Sequence, residues 1–521
     1  MALAPLGVGS FRALWTAVLV SNVGAWMQTV GAQWLLVRAP NAALLVSMVQ
    51  VVDMLPDVAF GLVGGVLADT FDRRKLLIAL QSFLAIVAIA LTLLTIADEM
   101  PPALLLTFTF LLGLASVIAL PAYQSLVNDI VPRSELRAAV TLGSVSINLA
   151  RAVGPAIAGL LIARVGVAAV FAVNAAAFAF YAAVVTFWRP QLPERFGSRE
   201  PFLAALRAGG RYVRYAPIVV RIFSRTAAFL IPGSVLWALL PLVATERLHQ
   251  AAGGYGFLLA ALGAGAILGS LVLPRIDARL TMNQIVAGAT VVYAAALVAV
   301  VTVPSIWLAT AVLIPAGVAW IAVLSNVNAG LQLFLPGWVR GRGLAVYQMV
   351  VFGSQGVGAL LWGLTANRVG LVWTFALAAA LLFLGAVSIA RWPFAETSGM
   401  DRSPSQHWPE PRLAPAFEPQ DEAVMVTVTY SIPEGDVAAF LDAMVGVRRE
   451  RMRTGAERWG LFRDGEAPSR FIEVFLVASW EEHLRQHEER LTATDRAVEE
   501  RARQLSDRPV ETKHYLAADP D

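Results

Sequence analysis

The sequence predicts an all-α polytopic membrane protein with twelve spanning helices in two six-helix repeats, followed by a small soluble α+β domain. Three observations predict it: an apolar composition, continuously apolar runs of spanning length, and a change of character after about residue 390. Of the 521 residues, 57% are hydrophobic and 15% charged, against about 25% charged in soluble domains. Before residue 390 long runs hold almost no charge, and beyond residue 400 charges are dense. A net charge of +3, with arginines gathered in loops rather than in a stripe with aromatics, argues against nucleic acid as a partner. Cysteine is absent, which excludes disulfides and thiolate metal or redox sites without fixing the compartment.

Since about 20 apolar residues cross the hydrocarbon core, spans are expected near 14–37, 44–68, 76–97, 102–125, 138–163 and 167–188. Six more are expected near 219–244, 252–274, 283–302, 305–329, 344–366 and 370–391. The first follows Arg12 and has spanning rather than signal-peptide length, so no cleaved leader is expected. These must be helices, because a spanning strand needs only about ten residues with period-two alternation. Positive charge alternates between loops: Arg73, Arg74 and Lys75, then Arg133 and Arg137, then Arg189 to Arg214, Arg275 and Arg279, Arg340 and Arg342, and Arg391. By the positive-inside rule both termini of this multi-pass cell-membrane protein are cytoplasmic. The 189–218 connection, where Phe202, Leu203, Leu206 and Tyr212 lie among arginines, reads as a short interfacial helix. It divides the membrane part into halves at 1–188 and 219–391.

The halves superpose without a gap at an offset of 204 (269 − 65). Gly65 falls on Gly269, Gly113 on Gly317, Pro132 on Pro336, Gly154 on Gly358 and Gly159 on Gly363, and Arg164-Val165-Gly166 falls on Arg368-Val369-Gly370. A constant offset across six spans predicts two halves in the same orientation, with a binding region near the midplane between them.

After the second span comes GGVLADTFDRRK, Gly64 to Lys75. It resembles the loop signature of the major facilitator superfamily, and the match assigns a latch to Gly65, Asp69, Arg73 and Arg74. Gly65 is expected to permit close helix packing and Asp69 to cap the next turn or pair with an arginine; Thr70 and Asp72 depart from the usual residues. In the fifth span RAVGPAIAG resembles the Gly-Pro motif of drug exporters in this superfamily, with Gly154, Pro155 and Gly159 as its packing residues. With NVGAWMQTVGAQWLL in the first span, the chain is most similar to the transmembrane secretion effector branch, which groups with siderophore and macrolide exporters. That resemblance implies a cavity lined by helices one, four, seven and ten, and hence by Asn22, Gln28, Tyr123 and Asn326. Trp26, Trp34, Trp237 and Trp320 offer aromatic surface to an amphipathic substrate.

An ionisable residue deep in a span costs from about 2.5 kcal/mol upward unless paired or hydrated. Asp53 and Asp57 lie one turn apart on one face of the second span with Pro56 between them, and Arg151 lies near the middle of the fifth. Two carboxylates so close in a low dielectric are candidates to carry a proton. The alternative is a structural ion pair in which Arg151 or Arg221 holds a carboxylate. No histidine is central in a span.

Residues 392–421, with five prolines from Pro404 to Pro419, read as an extended linker. From 422 to 517 the order βαββαβ predicts a ferredoxin-like fold. It resembles the dimeric α/β barrel domains related to antibiotic-biosynthesis monooxygenases, which implies a homodimer through this domain. His483 and His487 have a metal-ligand spacing, but Glu482, Glu488 and several arginines share the segment, so a solvated helix is expected and no metal or other cofactor is assigned. No HExxH motif, nucleophile elbow or phosphate-binding loop occurs, and no enzyme activity is expected. The sequence reading is thus a proton-coupled exporter of small drug-like or siderophore-like molecules working by alternating access in the lipid bilayer, with uptake, or sensing through the C-terminal domain, as alternatives.

Overall fold

The computed structural model describes residues 3–188, 210–394 and 423–517. Phe202, Leu203 and Leu206 of the expected interfacial helix, and the Pro-rich linker beyond residue 394, lie outside the described residues. By contact the chain divides into two compact units: one of residues 3–188, 223–327 and 347–394, the other of 210–222, 328–346 and 423–517.

The helices of the first unit are α1 (Gly9–Leu36), α2 (Ala42–Thr70), α3 (Arg73–Ile96), α4 (Pro102–Ile130), α5 (Leu136–Arg164), α6 (Val167–Phe187), α7 (Pro217–Leu242), α8 (Ala252–Asp277), α9 (Met282–Thr302), α10 (Ile306–Phe334) and α11 (Gly337–Ser388). The start of α7, the end of α10 and the start of α11 fall in the second unit. Ten described helices, α2 to α11, are long and apolar enough to cross a membrane. The 28-residue α1 is not among them, because Ser21, Asn22, Gln28 and Gln33 interrupt its apolar run. The last two expected spans form a single helix of 52 residues with a break at Gly370, whose φ of 78° only glycine adopts readily. Its repeat mate Gly166, with φ of 105°, separates α5 from α6 at the equivalent place. Counting α11 as two spans and α1 as one restores twelve.

The offset of 204 (363 − 159) also governs packing. A Cβ on Gly159 of α5 would stand 2.7 Å from the Ala252 carbonyl and 3.0 Å from Gly256 Cα on α8. A Cβ on Gly363 of α11 would stand 2.9 Å from Ser47 Cβ and 3.0 Å from the Ala43 carbonyl on α2. Each half thus presents one glycine-lined helix to the other. Within the halves, Gly154 lies against Val23 and Trp26 of α1, and Gly358 against Ile231 and Ser234 of α7. The expected packing role of Gly65 falls instead to Gly64, where a Cβ would stand 2.9 Å from the Val117 carbonyl; a Cβ on Gly65 would meet open space.

The soluble part comprises β1 (Val424–Ser431), α12 (Val437–Thr454), β2 (Ala456–Arg463), β3 (Arg470–Val477), α13 (Trp480–Arg485), α14 (Ala493–Gln504) and β4 (Glu511–Leu516). Its antiparallel sheet has the order β2-β3-β1-β4, the ferredoxin-like arrangement the sequence predicts. Val424, Val426, Val428 and Tyr430 alternate inward from β1 onto Phe440, Met444 and Phe475. Through this core runs Arg451, 1% exposed, whose guanidinium binds Glu473 at 3.0 Å, Glu450 at 3.1 Å and Glu499. Trp459 and Tyr430 also donate to Glu473, at 2.9 and 3.1 Å. Burial, followed by the neighbouring Glu499, pushes the Glu450 carboxyl well above the usual carboxylate range, which relieves the excess of negative charge around one cation.

Two predictions follow from this packing. Gly256→Val should lower the detergent-solubilised melting temperature by the equivalent of about 1–3 kcal/mol, since its side chain would drive into the Pro155 carbonyl. Gly143→Ala, into open space, should not lower it, and equal losses in both would show that the α5–α8 contact is slack. In the soluble part, Arg451→Ala should destabilise by about 3–5 kcal/mol by leaving buried carboxylates unpaired, measured by denaturant unfolding followed through tryptophan fluorescence.

Candidate functional site

The polar and aromatic side chains of the membrane core are placed by α1, which meets α5 and α6 in its own half and α7 and α8 in the other. Asn22 donates to Ser146 Oγ of α5 at 3.2 Å, and Gln28 accepts from Asn174 of α6 at 3.4 Å. Toward the end of α1, Gln33 donates to the Trp237 carbonyl at 3.4 Å and accepts from the Tyr255 hydroxyl of α8, while Trp34 stacks on Tyr255 with centroids 6.4 Å apart. Trp26 packs on Trp237 of α7 at 6.0 Å, and Trp237 on Trp320 of α10 at 5.6 Å. Phe229 and Tyr293 extend the cluster around Trp320, each 5.5 Å from it.

The Arg151 guanidinium lies 5.5 Å from the centre of the Trp26 ring, and its Nε has no hydrogen-bond partner among the described residues. The cation therefore faces an aromatic wall that crosses from one half to the other, and no ion pair of Arg151 with a carboxylate is found among the described residues. Trp237 Nε1, buried, also has no partner among the described residues. A face that is aromatic, with a cation and an indole donor at its edge, suits a flat apolar molecule bearing negative charge or acceptors.

Not every expected cavity residue joins this group. Tyr123 packs with the apolar cluster of Phe11, Leu14, Leu126 and Tyr181. Asn326 donates to the Ala322 carbonyl of its own helix at 3.0 Å and to Asp277 at the end of α8 at 3.4 Å. Asp53 and Asp57 are half-buried on α2 around the buried Pro56. Gly113 of α4 backs onto that turn, its Cβ position 3.0 Å from the Asp53 carbonyl and 3.3 Å from Pro56. A Cβ on Gly353 of α11 would stand 3.6 Å from Val58, the residue after Asp57 on α2.

The α2–α3 loop is a bracket for three helices. Arg73 pairs with Asp129 at the end of α4 at 2.5 Å. Arg74 donates to the Val185 and Thr186 carbonyls at the end of α6, at 3.0 and 2.5 Å, placing a cation at a helix C-terminus. The cap of α3 is Asp72, which accepts from Lys75 N at 2.8 Å, in place of the cap expected from Asp69; the Asp69 side chain lies outside the described part. Asp129 escaped sequence reading because its partner is remote in the chain.

The model of the family described as transmembrane secretion effector matches residues 1–520. The chain belongs to that family. A multidrug efflux pump of Mycolicibacterium fortuitum is 25% identical over 72% of this chain and 93% of its own length. A staphyloferrin A transporter of Staphylococcus aureus is 23% identical over 68% and 89%, and an enterobactin exporter of Shigella boydii 32% identical over 40% and 50%. Among solved structures, a bacterial homologue of the human lysosomal transporter Spinster superposes with a TM-score of 0.57 at 15% identity, covering 73% of this chain and 97% of that one. A nucleoside transporter gives 0.60 at 12%, covering 73% and 99%. The membrane helices have the fold of the major facilitator transporters, and residues 423–517 of this member of the secretion effector family form an α+β part.

In that part the structure corrects the expectation of a solvated helix around His483 and His487. His483 is 0% and His487 8% exposed, and they meet His514 of β4. The rings of His483 and His514 are 4.9 Å apart, with Trp480 packed on both. Burial, then the His487 and His514 rings, pushes His483 down to about 2, so it is neutral. The charged side chains point the other way: Glu482 takes both oxygens to Arg490, at 2.5 and 2.9 Å, and Arg490 covers the Trp338 ring at 4.8 Å. Tyr212, expected at the lipid interface, is instead buried edge-on against Trp338.

The Arg73–Asp129 bracket yields a prediction. A double-mutant cycle of Arg73→Ala and Asp129→Ala, read as thermal stability in detergent, should give a coupling of about 1 kcal/mol or more, within the range for contacting charges. Additivity within about 0.5 kcal/mol would mean the pair does not hold α3 to α4.

Proposed function

We propose that the chain is a secondary transporter that exports small amphipathic molecules from the cytoplasm by alternating access, with Asp53 and Asp57 carrying the coupling proton. The observation that carries this reading is the Trp26–Trp237–Trp320 wall with Arg151 at its edge, built by α1, α5, α7 and α10 where the halves meet. The drug and siderophore transporters among the relatives support the direction and the substrate class. Arg151 and the Trp237 indole favour the anionic, aromatic members of that class over cations. Asn22 and Gln28 contribute polar contacts on the same helix, Gly154, Pro155 and Gly159 form the pivot, and Gly65, Asp69, Arg73 and Arg74 belong to the latch.

In this reading residues 1–188 and 219–391 are the two halves, the loop between them and both termini are cytoplasmic, and 422–517 is a cytoplasmic domain at the end of the 392–421 linker. That domain supports a homodimer through its sheet: Met425, Phe462 and Tyr515 are exposed on it, beside the half-buried Ile472, Val474 and Leu476.

Cells expressing the protein should accumulate less of an anionic fluorescent amphiphile than control cells. Asp53→Asn combined with Asp57→Asn should abolish the difference, and Trp237→Ala should reduce it about tenfold or more, as hot-spot aromatics do. Efflux that persists in the carboxylate variant with its pH dependence intact would remove the proton-carrier role. Equal accumulation with and without the wild-type protein for every compound would remove the export reading.

A further inference from the structure

Of the five histidines in the chain, three are gathered at one point of the α+β part. His483 and His487 stand one turn apart, where α13 runs into a wider π turn over Gln486–Arg490. His514 comes from β4, the edge strand beside β1. His483 Nε2 and His487 Nε2 are 3.2 Å apart, and one ring nitrogen from each of the three histidines lies within 4.8 Å of the others.

Imidazole nitrogens held at about 2.0–2.1 Å by a tetrahedral ion stand about 3.3–3.4 Å from one another. The His483–His487 pair already has that separation. His514 needs a ring movement of up to about 1.4 Å (4.8 − 3.4) to reach the same ion, and its half-exposed place on an edge strand leaves room for it. Its Nε2 is buried and has no hydrogen-bond partner among the described residues.

We propose that His483, His487 and His514 form a binding site for one divalent transition ion of the zinc class, with the fourth position left for a water molecule. The donor set selects the ion. Imidazole nitrogens suit Zn²⁺, Co²⁺, Ni²⁺ and Cu²⁺, whereas Mg²⁺ and Ca²⁺ require oxygen ligands. Three acidic side chains of this part are held by arginines, Glu473 and Glu499 by Arg451 and Glu482 by Arg490. Gln486, whose Nε2 donates to Thr454 Oγ1 at 2.7 Å, holds its amide beside the His483 ring and acts as a positioning residue. A bound ion ties the turn after α13 to the edge strand, fastening the segment that also carries Glu482 and Arg490. The site stands on its own geometry and is independent of the transport reading.

The test uses the full chain, purified in detergent micelles with a tag that contains no histidine, titrated with Co²⁺ alone. One Co²⁺ per chain with the visible absorption of a four-coordinate ion is expected, displaced by one Zn²⁺, with affinity falling roughly 100-fold or more in His487→Asn and in His514→Phe. Binding of the same strength in both variants, or no saturable binding by the wild type, overturns the site. A measurement without mutation guards against misfolded variants: zinc-edge X-ray absorption of the loaded wild type should show imidazole scattering from three ligands. A first shell of oxygen alone overturns the site, as does scattering from a single imidazole.

Discussion

The structure of the membrane part depends on the backbone-to-backbone approach of α5 to α8 and of α11 to α2. Lipid tails are as apolar as leucine, so no hydrophobic force presses helices together inside a bilayer, and close van der Waals contact has to supply the association. Gly159 meeting Gly256, and Gly363 meeting Ser47, remove the side chains that would hold the helix axes apart. Because the two contacts are related by the repeat, each half grips the other through equivalent surfaces. A seam of small residues without interlocking side chains permits one half to roll on the other, where a seam of interdigitated leucines would resist it.

The same repeat is broken where the ionisable groups sit. Asp53 and Asp57 fall opposite Phe257 and Ala261, and Arg151 falls opposite Gln355. These charges therefore do not belong to the symmetric framework. Arg151 has a cation–π contact worth about 2 kcal/mol when desolvated, which at best balances the low end of the cost of placing arginine in a span. The contrast with Arg451 is instructive. More deeply buried than Arg151, that arginine is surrounded by three carboxylates, and it serves the fold. Arg151, whose Nε has no hydrogen-bond partner among the described residues, has an aromatic face beside it instead, which fits the substrate contact proposed for it.

How much of this is legible in the sequence depends on the range of each interaction. Span positions are legible because twenty apolar residues in a row have no other solvent, and the glycines at positions 154, 159, 358 and 363 are legible because a fixed offset marks them. The βαββαβ order is legible from period-two strands such as AVMVTVTYSI, where alternate residues do face the core. Which of two adjacent glycines packs is not legible: Gly64 and Gly65 differ by 100° around a helix, and only the place of α4 chooses Gly64. The pairing of Arg73 with Asp129 and the meeting of His514 with His483 are likewise hidden, since each joins residues tens of positions apart through the tertiary fold. The histidine error has a physical source. The helix around His483 carries charges on most of its faces, and long Glu and Arg side chains reach out to partners while the short imidazoles between them stay inside.

The second unit shows how a soluble appendage is joined to membrane helices by charge on aromatic surface rather than by a hydrophobic core. Arg490 covers Trp338, Arg453 covers Tyr212, and Tyr212 stands edge-on to Trp338, while Arg211 approaches Glu482 at 3.6 Å. Tyr212 lies just before the start of α7, and Trp338 lies at the start of α11, so the cluster takes hold of the first turns of helices that go on through the membrane. The cluster holds these first turns within the second unit, by cations laid on aromatic faces. Cation–aromatic contacts suit that role better than apolar packing. They hold orientation at about 0.5–2 kcal/mol each, enough together to bias a helix and little enough to release it.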